Sequence, residues 1–435
     1  MYFYSTNNKG HKVSLKTAVM ESLAPDNGLY MPENFTTLPD TFFQNLPSLS
    51  LQEIGVEITK NMLGSELNES EIETIVYDAL TFPAPLVPLD SQKYALELWH
   101  GPSLAFKDFG ARFMAKLMGH FIATGDKTQT ILVATSGDTG GAVAAGFFNT
   151  PGIKVIILFP KGKVSELQEM QLTTFGGNIE AIEVDGNFDD CQSLVKQAFL
   201  DKEINNKYHL SSANSINIAR LIPQSFYYFE AYKQVKSVSK DKDIVFSVPS
   251  GNFGNLTAGL IGKKMGLPIK RFIAATNSNH IVPDYLISGK YEPKPSVPTI
   301  SNAMDVGAPS NFTRIMDLYQ HDYQSIKKDM NGFWLDDEGT KNAMKEAYTK
   351  YNYICDPHGA IGYKSLDTLS NNEVGIFLET AHPAKFLDTC QTVLETEIAI
   401  PDALLAIKGK AKESTTLSKD FKSFKTYLLD KNNYY

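Results

Sequence analysis

The chain has 435 residues, of which 43% are hydrophobic and 21% charged, a composition typical of a globular protein large enough for two or more domains. Its formal net charge of -8 argues against nucleic acid or an anionic membrane as the main partner. The three cysteines, Cys191, Cys355 and Cys390, are too few and too far apart for a disulfide framework or a CxxC metal pair, and they fit a reducing compartment.

Targeting and metal-binding signals are not visible in the sequence. The N-terminus, "MYFYSTNNKGHKVS", lacks the basic region and apolar stretch of a signal peptide, and no apolar run has the length of a membrane span. The eight histidines show no HxxxH or HExxH spacing, so we expect no metal site. These patterns predict a cytoplasmic protein.

Residues 1–90 are expected to form a small α-rich unit. The segments "LQEIGVEITKNML" and "ESEIETIVYDAL" both have the apolar spacing of amphipathic helices. The following segment "FPAPLVPLD" (82–90) contains three prolines and predicts a connector without regular structure.

Residues 91–435 alternate short β-branched runs with helical patterns. Such alternation predicts an α/β fold in which a parallel sheet is covered by helices on both faces, with ligands at the carboxyl ends of the strands. Near the C-terminus, "KGKAKESTTLSKDFKSFK" predicts a solvated loop followed by a helix. The predicted strands are "TILVA" (130–134), "KVIILF" (154–159), "DIVFSVP" (243–249), "RFIAAT" (271–276) and "VGIFLET" (374–380).

Lys107 occupies an unusual position in "LWHGPSLAFKDFGARFMAKLMGHF". It follows a small-residue turn and begins an apolar helical pattern, at the end of the helix dipole that disfavours a cation. Most such lysines are simply solvated, but Phe106 and Phe109 surround this one with apolar groups. A partly desolvated lysine has a lowered pKa, and it can then act as an amine nucleophile.

Two glycine-rich loops each follow a predicted strand and precede a helix, in "ATSGDTGGAVAAGFF" and "PSGNFGNLTAGLIGKKMG". Neither has the spacing of a nucleoside-triphosphate loop or a dinucleotide fingerprint. Many such loops only turn the chain, but two of them in one chain favour an anionic ligand. The first loop carries Asp138 and therefore suits a hydroxyl or amine, whereas the second, Gly251 to Asn255, is uncharged and suits a phosphate.

A nucleophilic amine and a phosphate-binding loop are together the minimal apparatus for holding pyridoxal phosphate. The motifs "HGPSLAFKDFGARFMA", "ATSGDTG", "PSGNFGNLTAG", "SNAMDVGAPSNFTR" and "ETAHPAKF" resemble the threonine synthase family over nearly the whole chain. The resemblance is to the bacterial and fungal group with an extra N-terminal domain. It implies a two-lobed fold-type-II, tryptophan-synthase-β-like fold for residues 91–435, with residues 1–90 as the extra domain.

The resemblance also implies an activity, a carbon–oxygen lyase that converts O-phospho-L-homoserine and water to L-threonine and phosphate. Lys107 would form the imine with the cofactor and then move the substrate protons, and Thr380 would face the pyridine nitrogen. Asp138 would lie at the cofactor ring hydroxyl, where an acid needs a proton to donate or a cationic partner. The substrate carboxylate would be held by Ser136, Gly137 and Thr139, and the cofactor phosphate by Gly251, Asn252, Phe253, Gly254 and Asn255.

The substrate phosphate requires a second anion site. Arginine suits phosphate oxygens better than lysine does, and the chain has arginine only at Arg112, Arg220, Arg271 and Arg314. We expect Arg220 to bind the substrate phosphate, and a structural role for Arg271 at the start of a strand. By resemblance to related synthases, the supporting residues are expected to be Asn214, Ser215 and Lys161.

Several polar residues near these motifs have more ordinary explanations. Asp108 is expected to cap the helix that begins at Lys107, although it could also pair with a nearby cation. His358 is expected at a helix cap, His382 to be structural, with Pro383 opening a helix, and His100 could orient the turn before Lys107.

Two other functions remain open from sequence. A phospholyase that releases 2-oxobutyrate, ammonia and phosphate would use the same residues, and a non-catalytic binding protein could share the scaffold. An imine-forming lysine argues against the binding protein. The sequence leaves the assembly open between monomer and homodimer.

Overall fold

The computed structural model describes residues 2–123 and 128–430. Its strands are β1 (Phe3–Ser5), β2 (Lys12–Val13), β3 (Tyr30–Pro32), β4 (Leu86–Pro88), β5 (Lys93–Glu97), β6 (Gln129–Ala134), β7 (Ile153–Pro160), β8 (Ile179–Asp185), β9 (Leu210–Ser212), β10 (Asp243–Pro249), β11 (Arg271–Thr276), β12 (Met330–Trp334), β13 (Glu373–Glu379) and β14 (Thr415–Ser418). They form a small sheet in the order β2-β1-β3, a five-stranded sheet in the order β14-β8-β7-β6-β9 and a six-stranded sheet in the order β12-β11-β10-β13-β5-β4.

Helices cover the sheets and occupy much of the N-terminal part. They are α1 (Leu15–Glu21), α2 (Asp40–Asn45), α3 (Leu51–Leu63), α4 (Glu69–Ala79), α5 (Lys107–Ala123), α6 (Asp138–Phe147), α7 (Glu166–Thr173), α8 (Phe188–Leu200), α9 (Lys202–Lys207), α10 (Ile218–Leu221), α11 (Phe226–Val238), α12 (Gly254–Lys264), α13 (Ile281–Ser288), α14 (Phe312–Leu318), α15 (Tyr323–Asp329), α16 (Asp337–Tyr351), α17 (Pro357–Ser365), α18 (Leu387–Leu394), α19 (Asp402–Leu405) and α20 (Phe421–Asp430). Within the described residues, none of these helices is both long and apolar enough to cross a membrane.

The two predicted N-terminal helices are confirmed as α3 and α4. Both begin with a capping box, in which a cap side chain and an acidic side chain three residues later each accept a backbone N–H, at Ser50 with Glu53 and at Asn68 with Glu71. The small antiparallel sheet was not predicted, because strands of two or three residues are too short to show an alternating pattern.

The five predicted parallel strands are confirmed as β6, β7, β10, β11 and β13. Within the described residues, the pairings in the two larger sheets are parallel except at β4, which runs antiparallel on the edge. The prediction that residues 82–90 lack regular structure was therefore partly wrong, because β4 lies within them. A strand at the edge of a sheet tolerates the proline that ends β4. The predicted C-terminal loop likewise contains β14, before the expected helix α20.

We call the five-stranded sheet with its helices the first lobe and the six-stranded sheet with its helices the second lobe. One apolar core runs through both lobes and the N-terminal part, and it includes Phe3, Ile54, Val133, Phe226 and Ile376. In the first lobe the loop after β6 lies at the carboxyl edge of the sheet, and in the second the loops after β10 and β13 do so. The loops at these edges contain the residues that the sequence analysis predicted to bind the cofactor and the substrate.

Candidate active site

Lys107 is the first residue of α5, directly after a turn in which Leu104 has a positive φ of 57°. Its amine donates a hydrogen bond to Thr139 Oγ1 at 3.0 Å and lies 5.2 Å from the centre of the Phe106 ring. Burial lowers the pKa of the Lys107 amine to about 8; Asp138 opposes this shift, and Arg220 adds to it. Roughly a tenth of these amines is therefore uncharged at pH 7, far more than for an ordinary lysine, and an uncharged amine is nucleophilic.

The loop after β6 brings Ser136 to Thr139 to the reactive amine. Gly137 has a φ of 135°, and a Cβ there would lie 2.5 Å from the side chain of Gln168, so both backbone and space require glycine. Thr135 Oγ1 accepts the N–H of Gly137 at 3.0 Å and that of Gly140 at 2.9 Å. The side chain of Thr135 thus stabilises the conformation of this loop.

Asp138 has the cationic partner that its expected role requires. Its Oδ1 lies 2.8 Å from Lys385 Nζ and accepts a hydrogen bond from Gln168 Nε2 at 3.0 Å. Burial alone would raise the pKa of the Asp138 carboxyl, but Lys385 and Gln168 outweigh it and hold that pKa below its ordinary value. The carboxylate therefore remains ionised inside the protein.

The loop from Gly251 to Asn255 has unused hydrogen-bond donors. Within the described residues, the five backbone N–H groups of this loop donate to no protein acceptor, and the N-cap of α12 makes no side-chain capping bond. Phe253 turns the chain in the left-handed region at φ 61°, and Asn255 faces inward, where its Nδ2 donates to Pro249 O at 2.8 Å. A row of free N–H groups at a helix N-terminus fits the phosphate of pyridoxal phosphate.

Thr380 directly follows β13, and its carbonyl oxygen accepts the N–H of Phe106 at 2.8 Å, which places it beside Lys107. Its hydroxyl has no hydrogen-bond partner among the described residues. Lys107, the free N–H groups and this hydroxyl therefore provide partners of the right kind for the aldehyde, phosphate and pyridine nitrogen of the cofactor.

Arg220 is buried against α5, since a Cβ at Gly110 of that helix would lie 2.7 Å from its Nε. The guanidinium donates to Ala213 O, and its Nε has no protein partner. Burial lowers the pKa of Arg220 to about 10, opposed by Asp108. A buried arginine with an unused donor close to Lys107 is suited to bind the phosphate group of a substrate.

The other residues expected at the substrate phosphate have different environments. Asn214 Nδ2 donates to Ala134 O at 3.0 Å, and Ser215 packs against Gly254, 3.4 Å from where a Cβ would lie on that glycine. Both shape the loops of the site. Lys161 follows β7 but is exposed, and no hydrogen bond or ion pair joins its side chain to another described residue.

The remaining arginines are structural. Arg314 donates to the carbonyl oxygens of Tyr30, Ser215 and Ile216 and to Asn311 Oδ1, which uses all of its N–H groups. Arg112 donates to residues 78, 79 and 81 at the end of the N-terminal part. Arg271 forms a two-pronged ion pair with Glu373, which confirms its expected structural role.

The expected helix cap at Asp108 was wrong. Asp108 lies inside α5, and its Oδ2 accepts the N–H of Ser103 in the preceding turn at 2.8 Å. At α17 the cap is Asp356, which accepts the N–H of His358. His382 is itself the cap of a 3₁₀ turn, Pro383–Phe386, and His100 is bound to Glu97.

The sequence reasoning missed Gln168 and did not recognise the role of Lys385. Gln168 lies on α7, and no motif linked it to the loop after β6. The signal for Lys385 was the unpaired acid at Asp138, which required a cation from elsewhere in the chain.

Comparison with known proteins matches the chain to three family descriptions. Residues 79–376 match "Pyridoxal-phosphate dependent enzyme", residues 2–80 match "Threonine synthase N terminus" and residues 359–428 match "Threonine synthase, C-terminal". The chain is 45% identical to a threonine synthase of Haemophilus influenzae over 430 residues, which covers 99% of this chain and 100% of that protein.

Two solved structures also resemble the chain over nearly its whole length. The crystal structure of threonine synthase from Escherichia coli matches with a TM-score of 0.93 and 43% identity, over 99% of this chain and 100% of that one. A threonine synthase from Brucella melitensis with bound pyridoxal phosphate matches with a TM-score of 0.91 and 34% identity, over 98% of each chain. The similarity therefore includes the N-terminal part, both lobes and the site.

Proposed function

The chain belongs to the threonine synthase family of pyridoxal-phosphate-dependent enzymes, and on that premise we propose that it converts O-phospho-L-homoserine and water to L-threonine and phosphate at the site around Lys107. The observation that carries this proposal is the half-buried Lys107 amine, of pKa about 8, beside a loop of unused backbone donors. Catalysis needs such an amine, whereas passive binding does not.

When bound, pyridoxal phosphate supplies an aldehyde that takes up the substrate amine and a ring that delocalises the negative charge left by proton removal. The N–H groups of Gly251 to Asn255 would hold its phosphate, and the Thr380 hydroxyl would face its pyridine nitrogen. A neutral hydroxyl there leaves that nitrogen largely unprotonated. Asp138, kept ionised by Lys385, would lie near the ring hydroxyl.

Lys107 has two successive roles in this proposal. Its amine would attach the cofactor, and once released it would remove the proton at Cα and then a proton at Cβ of the substrate. As phosphate leaves from Cγ, the Lys107 ammonium would return a proton to Cγ; water would then add at Cβ, and Cα would regain its proton. A base of pKa about 8 can both accept and return protons near neutral pH.

The substrate is held by groups on three sides of Lys107. The loop Ser136, Gly137 and Thr139 would bind its carboxylate. Arg220 would bind its phosphate, supported by its buried position and unused Nε donor. Asn214 and Ser215 would keep that loop in shape, and Lys161 would only contribute if its exposed side chain turned toward the site.

The test of this function is product analysis by mass spectrometry after the cofactor-loaded protein has been incubated with O-phospho-L-homoserine. Threonine and phosphate in equal amounts are expected. Formation of 2-oxobutyrate and ammonia instead would contradict the synthase and identify a phospholyase, while the absence of turnover would favour the binding protein.

The family matches also support a division of the chain. We propose an N-terminal unit of residues 1–90 and a catalytic region of residues 91–435 made of the two lobes, acting in the cytoplasm as a monomer or homodimer. The N-terminal family match ends at residue 80, close to the proposed boundary.

A further inference from the structure

Lys385 is a fully buried lysine beside the reactive amine, and the proposed reaction steps do not use it. Its Nζ lies 2.8 Å from Asp138 Oδ1 and donates to the carbonyl oxygen of Ser103 at 2.8 Å. Lysine is almost never fully buried unless it is paired. The position of this ammonium therefore depends on the groups around it.

The ion pair of Lys385 and Asp138 joins the two lobes. Asp138 follows β6 of the first lobe, whereas Lys385 follows β13 of the second lobe. The third partner, Ser103, belongs to the turn that leads into Lys107, and its carbonyl oxygen also accepts Gln171 Nε2 of α7. One ammonium thus holds three segments that surround the reactive amine.

Asp138 depends on this cation to keep its place. Without Lys385 its protein partners would be the amide of Gln168 and the nearby Lys107 amine, so the buried carboxylate would shift toward that amine or take up a proton. Either change would alter the loop that presents Thr139 to Lys107.

We propose that Lys385 is a positioning residue for the reaction, whose ammonium keeps the Asp138 carboxylate and the turn at Ser103 aligned across the two lobes. The loop 136–139 then keeps its geometry toward Lys107 and the cofactor ring. This role rests on the proposed function, which assigns that loop to the cofactor and the substrate carboxylate.

The test is a double-mutant cycle on the affinity of the apoprotein for pyridoxal phosphate, measured by fluorescence titration without substrate. Lys385→Met is expected to weaken binding by about tenfold or more. In the Asp138→Asn background, Lys385→Met should reduce the affinity by a factor at least about threefold smaller, because the carboxylate that pairs with Lys385 is no longer present. Lys364→Met, which removes an ion pair of Lys364 with Glu346 and Asp367 away from the site, should leave the affinity unchanged.

The proposal would be overturned if the double variant lost affinity by the product of the two single losses, which would show that the residues act independently. An unchanged affinity in Lys385→Met would also overturn it. If Lys385→Met does not fold, as judged by circular dichroism, the proposal requires that the charge-neutral Asp138→Asn/Lys385→Met protein does fold and bind; failure of both would assign Lys385 to packing alone. Because the titration involves no substrate, its result is separate from that of the product analysis.

A second readout is the pH dependence of cofactor attachment to Lys107. The charged groups facing this amine are Asp138, Arg220 and Lys385. Loss of Lys385 removes a cation that lowers the pKa of this amine and leaves the opposing effect of Asp138, so the attachment profile should move to higher pH. The double variant should move less, and a profile that does not move in Lys385→Met would contradict the proposal.

Discussion

Burial changes the proton affinity of single residues in this protein in opposite directions. It lowers the pKa of the Lys107 amine and raises that of the carboxyl of Glu379, a fully buried residue that immediately precedes Thr380. In both cases the low-dielectric interior disfavours the charged form. The amine thereby gains reactivity, whereas the carboxyl holds its proton to a higher pH than an ordinary glutamate does.

Replacement of Lys107 by alanine is expected to abolish the site's chemistry. Turnover should fall by roughly 10²–10⁴-fold or more, because the acid–base group is lost. The cofactor should no longer become covalently attached, as measured by mass spectrometry after borohydride reduction. Lys116→Ala, an exposed lysine of the same helix that pairs with Asp78, is the control and should keep both properties. Full turnover in Lys107→Ala would contradict the mechanism.

Glu379→Gln tests the protonated carboxyl. Burial, followed by the nearby Asp356, raises the pKa of Glu379 well above its ordinary value, and this outweighs the neighbouring Cys355 thiol, which lowers that pKa. The folded protein therefore binds a proton that the unfolded chain releases, and this contribution to stability falls as pH rises above about 4.5. The glutamine variant should gain unfolding free energy relative to the wild type between about pH 5 and pH 8, measured by urea unfolding.

Glu373, at the other end of the same strand, is a control of opposite sign. Although burial raises its pKa, the ion pair with Arg271 outweighs burial and lowers that pKa to about 2. Its stabilisation is present above the ordinary carboxyl pKa and is lost as pH falls toward 2. Glu373→Gln should therefore be destabilised at neutral pH, with a difference that shrinks in acid. If the difference in unfolding free energy from the wild type changed with pH in the same direction for both variants, these assignments would be wrong.

At the scale of secondary-structure elements, the site depends on how closely α5 packs against α10. Gly110 allows this approach, because a Cβ there would lie 2.7 Å from both Nε and the backbone oxygen of Arg220. Backbone cannot yield as a flexible side chain can, so the two helices would have to separate. The position of Arg220 is therefore set by a glycine on the helix that Lys107 begins.

Gly110→Ala is expected to displace Arg220 and to lower kcat/KM by about 10²-fold, since a shift of about 1 Å in a positioning group can cost that much. The cofactor should still attach to Lys107. Gly119→Ala on the same helix has its nearest neighbour, Thr150, at 3.4 Å, and it should keep activity and gain up to about 1 kcal/mol of stability from helix propensity. Steady-state kinetics and thermal unfolding of the two variants make the comparison. Equal kcat/KM values for the two variants would contradict the role of Gly110 in positioning Arg220.

Elements were predictable from sequence where they were long or strongly patterned. The helices α3 and α4 and the buried strands β10 and β11 begin at the predicted residues, because capping residues and continuous apolar runs are local signals. The strands β5, β8, β9, β12 and β14 were not predicted. For β9 and β14 the reason is that three or four residues carry little pattern and their pairing depends on distant strands.

At the scale of the whole molecule, the continuous apolar core predicts that the N-terminal part and the lobes unfold together. Ile54 of α3 lies in this core, and both tryptophans, Trp99 and Trp334, lie in residues 91–435. Ile54→Ala should lower the unfolding free energy reported by tryptophan fluorescence by about 2–5 kcal/mol. Leu200→Ala, at a side chain that is 75% exposed, should change it by less than about 0.5 kcal/mol. Unchanged fluorescence unfolding in Ile54→Ala would show that the N-terminal part is an independent unit.

The sequence by itself determined the α/β class, the reactive lysine and the two glycine-rich loops. Each of these depends on neighbours along the chain: the apolar run of a strand, the turn before Lys107, and the glycines that open a helix. The family resemblance rests on the same local motifs, and the comparisons bear it out.

Only the tertiary structure decided which charged groups meet. Lys385 lies 247 positions after Asp138 in the chain, Arg220 packs on Gly110, and Arg314, which could have served the substrate, is fully occupied by carbonyl oxygens. No local pattern encodes such pairs, because they form when strands from two sheets end side by side. Burial then shifts each pKa according to the partners that this meeting provides.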